Sequence, residues 1–225
     1  MIRKIYSVLR SFILSPLAAR LIGEPIFFLL GMRKKRKLET NDIRRVLVVK
    51  LDELGDSVML TPFVRELRAG LPQAWITLVV KPQLKELWDT CPYVNEVIPY
   101  DRQAGLPNLH SHLSALLFAK NRLWKKQFDL AIVPRWDADY YYASYVAYLS
   151  GAPARLGYRS NAIQSDVFNY DRLYTALLDS NGASRHEVEK NLEMLKALRL
   201  EIHKKDQELW LSSEDTAFAD AAVKT

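Results

Sequence analysis

Eight consecutive positions, Lys50-Leu51-Asp52-Glu53-Leu54-Gly55-Asp56-Ser57, hold one cation, three carboxylates and a hydroxyl. Carboxylates so placed invite two chemistries, proton transfer and metal binding. Asp56, just ahead of a helical pattern, suits a general base that takes a proton from a hydroxyl. The same place suits a helix N-cap, because a short carboxylate accepts from an orphan backbone N–H and favours the helix dipole. Residue type and position leave both roles open. For a metal, Asp52 and Glu53 would need ligands from other strand ends, and Asp137 and Asp139 are the candidates. Their spacing matches no defined metal motif, so they read as solvated loop carboxylates and no metal is expected. Asp52 is followed by Glu53 and Leu54, which excludes an Asp-x-Asp phosphatase. The stretch lacks Gly-x-Gly-x-x-Gly and the Walker lysine pattern, so no bound dinucleotide or other cofactor is expected.

Lys50, Lys81, Arg135 and Arg159 fall at or just past predicted strand ends, where they could converge on an anion. Guanidinium forks suit carboxylates and phosphates, so Arg135 and Arg159 are the stronger pair. Each alone also reads as a solvated surface cation. His186 opens a helix, where it can cap or touch a ligand. Tyrosines 140, 141, 142, 145 and 148 read as helix packing.

These side chains need elements to hold them. Val46 to Val49 is a short, uninterrupted apolar run, as expected of a strand buried on both faces of a parallel sheet. After the polar loop, Leu60, Phe63, Val64 and Leu67 recur at the spacing of one buried helical face, and Gly70 and Pro72 end it. Strands follow at Trp75–Val80, Val94–Ile98, Phe128–Val133, Arg155–Tyr158 and Glu208–Leu211. Helices are expected from Pro82, around Leu113 to Leu123, over Tyr140–Leu149, from His186 and after Ser212 or Ser213. Residues 159–185 read as a polar loop. The alternation predicts an α/β, Rossmann-like, mostly parallel sheet with helices on both faces, and ligands outside the carboxyl ends of the strands.

The segment KLDELGDSVMLTPFVRELRAGLP closely resembles the N-terminal signature of glycosyltransferase family nine, the ADP-heptose:lipopolysaccharide heptosyltransferases and their relatives. There the first strand ends in a basic residue, here Lys50. It runs into a loop ending Gly55-Asp56 and a helix opening near Thr61-Pro62. The resemblance continues through PYVNEVIPYD, FDLAIVPRWDAD, GAPARLGY and HEVEKNLEMLKALRL, over roughly residues 43–211. It implies the first lobe of a two-lobed (GT-B type) enzyme, with Asp56 as the base that deprotonates an acceptor hydroxyl. The implied acceptor-side residues are Lys50, Gly55, Ser57, Thr61, Arg135, Arg159 and His186. The implied acceptor is an anionic glycolipid or lipopolysaccharide core. The implied co-substrate is a nucleotide sugar, with ADP-heptose favoured.

The family's second lobe binds the donor, and this sequence of 225 residues holds no later glycine-rich, phosphate-cradling segment. The expected donor site therefore lies in a C-terminal lobe absent here or on another chain. A non-catalytic sugar- or partner-binding module is the alternative. The expected organisation is a tail over 1–41, the lobe over 42–200 and a connector over 201–225.

Residues 1–40 hold nine of the 32 Lys and Arg and two of the 26 Asp and Glu, a net of +7, which leaves the other 185 residues at −1. A near-neutral domain argues against a broad nucleic-acid face. In the tail, Ile2, Ile5, Leu9, Phe12 and Ile13 share a helical face, a second apolar stretch runs from Leu17 to Leu30, and MRKKRK (32–37) follows. That pattern suits a segment lying in an anionic membrane surface, here the inner face of the cytoplasmic membrane, as well as one packed on its own domain. A single cysteine, Cys91, fits a reducing compartment.

Overall fold

A computed structural model of the chain describes residues 6, 10–13, 15–31, 42–102, 105, 108–159, 170–179 and 185–223. In chain order it begins with a continuous N-terminal helix: α1 (Pro16–Ala18), a π-helical stretch (Ala19–Gly23) and α2 (Glu24–Gly31). Then come β1 (Arg45–Val49), α3 (Leu54–Val58), α4 (Thr61–Gly70), β2 (Trp75–Val80), α5 (Lys85–Asp89) and β3 (Glu96–Pro99). The second half runs α6 (Leu109–Phe118), β4 (Leu130–Ile132), α7 (Ala143–Leu149), β5 (Ala154–Tyr158), β6 (Ala176–Leu178), α8 (Glu187–Ala197) and α9 (Ser213–Val223).

The six strands form one wholly parallel sheet in the order β3-β2-β1-β4-β5-β6. In the central strand Val48 pairs with Leu78 of β2 and with Ile132 of β4. Side chains alternate between faces, so an apolar run must find cover on both. Val46 and Val48 point into a core with Leu60, the residue that caps α4, with Phe63, Val64 and Leu67 of α4, Trp88 of α5 and Leu192 and Leu195 of α8. Leu47 and Val49 point the other way, towards Ala115 of α6 and Tyr145, Val146 and Leu149 of α7. This is the doubly wound α/β sandwich that the strand–helix alternation predicts.

Two expectations need correction. Glu208–Leu211 is irregular: Trp210 packs against Trp88 and Tyr93, Leu209 and Leu211 face solvent, and among the described residues no strand pairs with them. Alternation alone does not make a strand without a neighbour. Residues 159–185 do not form an uninterrupted loop, because β6 pairs with β5 through Leu156↔Ala176 and Tyr158↔Leu178.

Most of residues 1–15 and all of 32–41 lie outside the described residues, and with them the basic MRKKRK segment and Ile2, Ile5 and Leu9 of the first helical face; Phe12 and Ile13 of that face are described and exposed. Residues 16–31 pack on the domain. Ala18, Ala19 and Gly23 are buried, the π-helical stretch touches α6, and α2 reaches α7, where Phe28 stacks on Tyr148 at 5.8 Å. No described helix is long and apolar enough to cross a membrane.

Candidate functional site

β1 and β4 are neighbours, and the order of connection runs outward from them in opposite directions. At such a switch point the loops leaving the two carboxyl ends diverge and open a crevice. Lys50 follows β1, and Arg135 lies just beyond β4.

Lys50 is fully buried. Its ammonium donates to the carbonyl of Pro134 at 2.8 Å and lies 2.8 Å from Asp52 and 3.2 Å from Glu187. Burial pushes its pKa below the usual lysine value, while Glu187 and Asp56 pull it back up. Arg135 pairs with the other oxygen of Asp52, donates from Nε to the Ala138 carbonyl at 2.7 Å, and meets Asp137 at 2.7 Å. Asp52 thus bridges the cations of two strands. Burial raises the pKa of Asp137, and Arg135 opposes that shift. Glu187 also accepts from the indole of Trp136 at 2.5 Å, and Lys190 lies 3.3 Å above the Trp136 ring.

Glu187, with Trp136 and Lys190 beside it, is what sequence reasoning missed in this network. It is drawn in because α8 starts beside the switch point. The available signal was a carboxylate in the first turn of a helix, directly after His186.

Asp56 is not a cap. It is the third residue of α3, whose N-cap position is Glu53. Its half-buried carboxylate makes no hydrogen bond and no ion pair among the described residues, although its charge acts on Lys50 and Asp137. Asp52, Glu53, Asp137, Asp139 and Glu187 all have partners. Glu53 pairs with Lys81, whose ammonium sits 3.8 Å above the Tyr141 ring, and it accepts from the Tyr141 hydroxyl at 2.8 Å. Asp139 accepts from the N–H groups of Ala143 and Ser144 at 3.0 and 2.7 Å, anchoring the start of α7. Among the described residues no three His, Cys, Asp or Glu side chains converge as a metal centre requires.

The remaining candidates divide. Ser57 is buried and accepts from the Trp88 indole at 2.9 Å, and Thr61 donates to the Val58 carbonyl at 2.8 Å while accepting from the amide of Glu208 at 3.1 Å. Both hydroxyls are engaged inside the protein. Gly55 faces open space: a Cβ built there meets nothing within 4 Å. His186 N-caps α8, its Nδ1 accepting from Val188 N–H at 3.3 Å. Arg159 is exposed and pairs with Asp179 at 2.8 Å and, more loosely, with Asp171 at 3.9 Å.

Arg135 and Arg159 line one open cleft, with Trp136, Asp137, Tyr158 and Tyr170. The buried Tyr170 hydroxyl has no partner among the described residues. Of the tyrosines read as packing, 142, 145 and 148 are buried, Tyr141 is half-buried on Glu53, and Tyr140 is exposed. Tyr142 takes up the left-handed conformation (φ 67°) at the start of α7, with its ring 3.9 Å from the Arg102 guanidinium.

No protein-family model matches this sequence, and no curated protein sequence does. Solved structures do match the fold. The glycosyl transferase family 9 protein from Veillonella parvula DSM 2008 aligns with a TM-score of 0.65 at 20% identity, covering 85% of this chain and 51% of that one. E. coli ADP-heptose lps heptosyltransferase II aligns at 0.60 and 19%, covering 80% and 50%. E. coli heptosyltransferase WaaC, solved with ADP, aligns at 0.56 and 17%, covering 73% and 50%. The chain spans about half the length of each, and it shares with them the fold of a glycosyltransferase lobe.

Proposed function

We propose that this chain is the acceptor-side lobe of a metal-independent, inverting, heptosyltransferase-like glycosyltransferase. Asp56 is the general base. It takes the proton of an acceptor hydroxyl as that oxygen attacks the anomeric carbon of a nucleotide sugar. The bond from that carbon to the nucleotide diphosphate breaks, and the diphosphate leaves with the electron pair. The donor, with ADP-heptose favoured, is held by a further lobe or another chain. The acceptor is an anionic glycolipid of the lipopolysaccharide-core kind. Its acidic groups lie against Arg135 and Arg159, with Asp137 yielding its place on Arg135.

One observation carries this proposal. Among six carboxylates at the carboxyl edge of the sheet, Asp56 alone has no partner among the described residues, so it alone is available to a substrate proton. Its charge acts on Lys50 and Asp137 without contact. The open space above Gly55 leaves room for the acceptor.

The test joins this lobe to the second half of a family nine enzyme and measures heptose transfer to a core acceptor. Asp56→Asn should lower turnover by about 10²- to 10⁴-fold, the usual weight of a positioned base. Turnover within a few-fold of the parent would remove Asp56 from the mechanism.

A further inference from the structure

The N-terminal helix has one face sewn to the domain and another left bare. Its inner face is made of small residues: a Cβ on Gly23 would sit 3.0 Å from Leu109 of α6. Glu24 pairs with Arg172, and the Tyr148 hydroxyl donates to the Phe28 carbonyl. The outer face carries Leu17, Leu21, Ile26 and Leu29, exposed by 60, 64, 49 and 63%. On α6, the helix it lies against, Leu113 and Leu117 are 49 and 47% exposed. Large apolar side chains gathered on two adjacent helices are not ordinary surface composition.

Cations border them. Arg20 has no ion pair among the described residues and opens, with Glu24, Pro25, Phe28 and Arg172, onto a cleft of about 200 Å³. Lys120, Arg122 and Lys125 are exposed just beyond the end of α6. Among the described residues the one acid lining that cleft, Glu24, is already paired with Arg172.

We infer that the outer face of the N-terminal helix and the Leu113–Leu117 edge of α6 together form a docking surface for an anionic phospholipid bilayer. The leucines enter the acyl boundary, and Arg20 in its cleft takes a headgroup phosphate. Membrane attachment is then a property of the folded domain and does not need a tail that lies in the bilayer by itself. The charge decides the occupant. A second copy of this chain, meeting the first across a two-fold axis, would bring one basic rim against another. An anionic lipid surface attracts such a rim. The inference stands apart from the transferase proposal, because vesicle binding needs no sugar substrate.

The experiment is co-sedimentation of the 225-residue chain with phosphatidylglycerol-rich vesicles and with pure phosphatidylcholine vesicles. The chain should bind the first and not the second. Leu113→Gln with Leu117→Gln adds no charge and keeps good helix formers at exposed positions, and should cut partitioning about tenfold. Arg20→Gln should cut it about fivefold. If the double variant binds like the parent, attachment belongs to the tail alone and the composite face is overturned. A concentration-dependent dimer dispersed by the same two substitutions would overturn it as well, by assigning the face to a second copy.

A second readout does not depend on loss of binding. Leu117→Cys carrying an environment-sensitive dye should shift to the blue on adding phosphatidylglycerol vesicles, and no shift would overturn the inference. Buried Cys91, with its thiol pushed up to about 11, leaves the new cysteine as the site of labelling.

Discussion

A buried ammonium survives only where carboxylates repay its desolvation, and Lys50 has two. Removing one partner leaves charge stranded. Glu187→Gln should therefore cost about 3 kcal/mol. For a chain of this size that is on the order of 10 °C in Tm, read by thermal unfolding. An unchanged Tm would mean that Asp52 and Pro134 hold Lys50 unaided. Asp56→Asn should behave in the opposite way. With no hydrogen bond or ion pair to lose, only the helix dipole and a longer-range pull on Lys50, its fold should stay within about 1 kcal/mol of the parent, even though transfer is lost. That Lys50, Asp56 and Arg135 lie at the carboxyl edge of the sheet was legible in the sequence, because position after a strand is a local property. Glu187 was not, since it meets Lys50 across 137 residues, and only the packing of α8 on the sheet makes that contact.

At the scale of elements, period and punctuation identified the strands that bury both faces. They failed where burial is partial. β6 is three residues of an edge strand, and its apolar Ala-Leu-Leu run is too short to stand out from the polar sequence around it. Its seat can be tested at Gly157, where a Cβ would fall 2.3 Å from the Tyr174 ring. That ring cannot swing freely, because its hydroxyl is bonded to Ser144 Oγ at 2.6 Å. Gly157→Ala should cost about 2 kcal/mol by overpacking, checked by urea denaturation, and no loss would show that the ring yields.

The irregular segment after α8 is tied back by Glu66 of α4, which is buried and accepts from His203 N–H at 2.7 Å and from Arg65 Nε at 3.1 Å. Burial alone would raise its pKa, but these donors hold it below the usual carboxylate value. The contact therefore stabilises fully above the unfolded carboxylate pKa, and that stability is lost as pH falls through the lower folded value. Amide exchange at His203 should accelerate on acidification through that window. Glu66→Gln should abolish the pH dependence, and an equally steep profile in that variant would point to another group.

For the whole molecule, the carboxyl edge of the sheet and its α6 side have separate duties. The carboxyl edge carries the charged network and Asp56, while the α6 side is covered by the N-terminal helix, whose outer face is apolar. The sequence offered two places for residues 16–31, a membrane surface or the domain. The folded chain gives the helix an inner face of Ala18, Ala19 and Gly23 for the domain and leaves its leucines outside. Small residues on one side and large ones on the other are visible in the sequence only once the partner helix is known.

The most direct measurement is calorimetric titration of the 225-residue chain with a phosphorylated lipopolysaccharide-core saccharide and, separately, with ADP-heptose. An acceptor-side lobe should bind the saccharide, lose about tenfold in affinity with Arg159→Gln, and show no comparable binding of the nucleotide sugar. Binding of ADP-heptose without binding of the saccharide would contradict it.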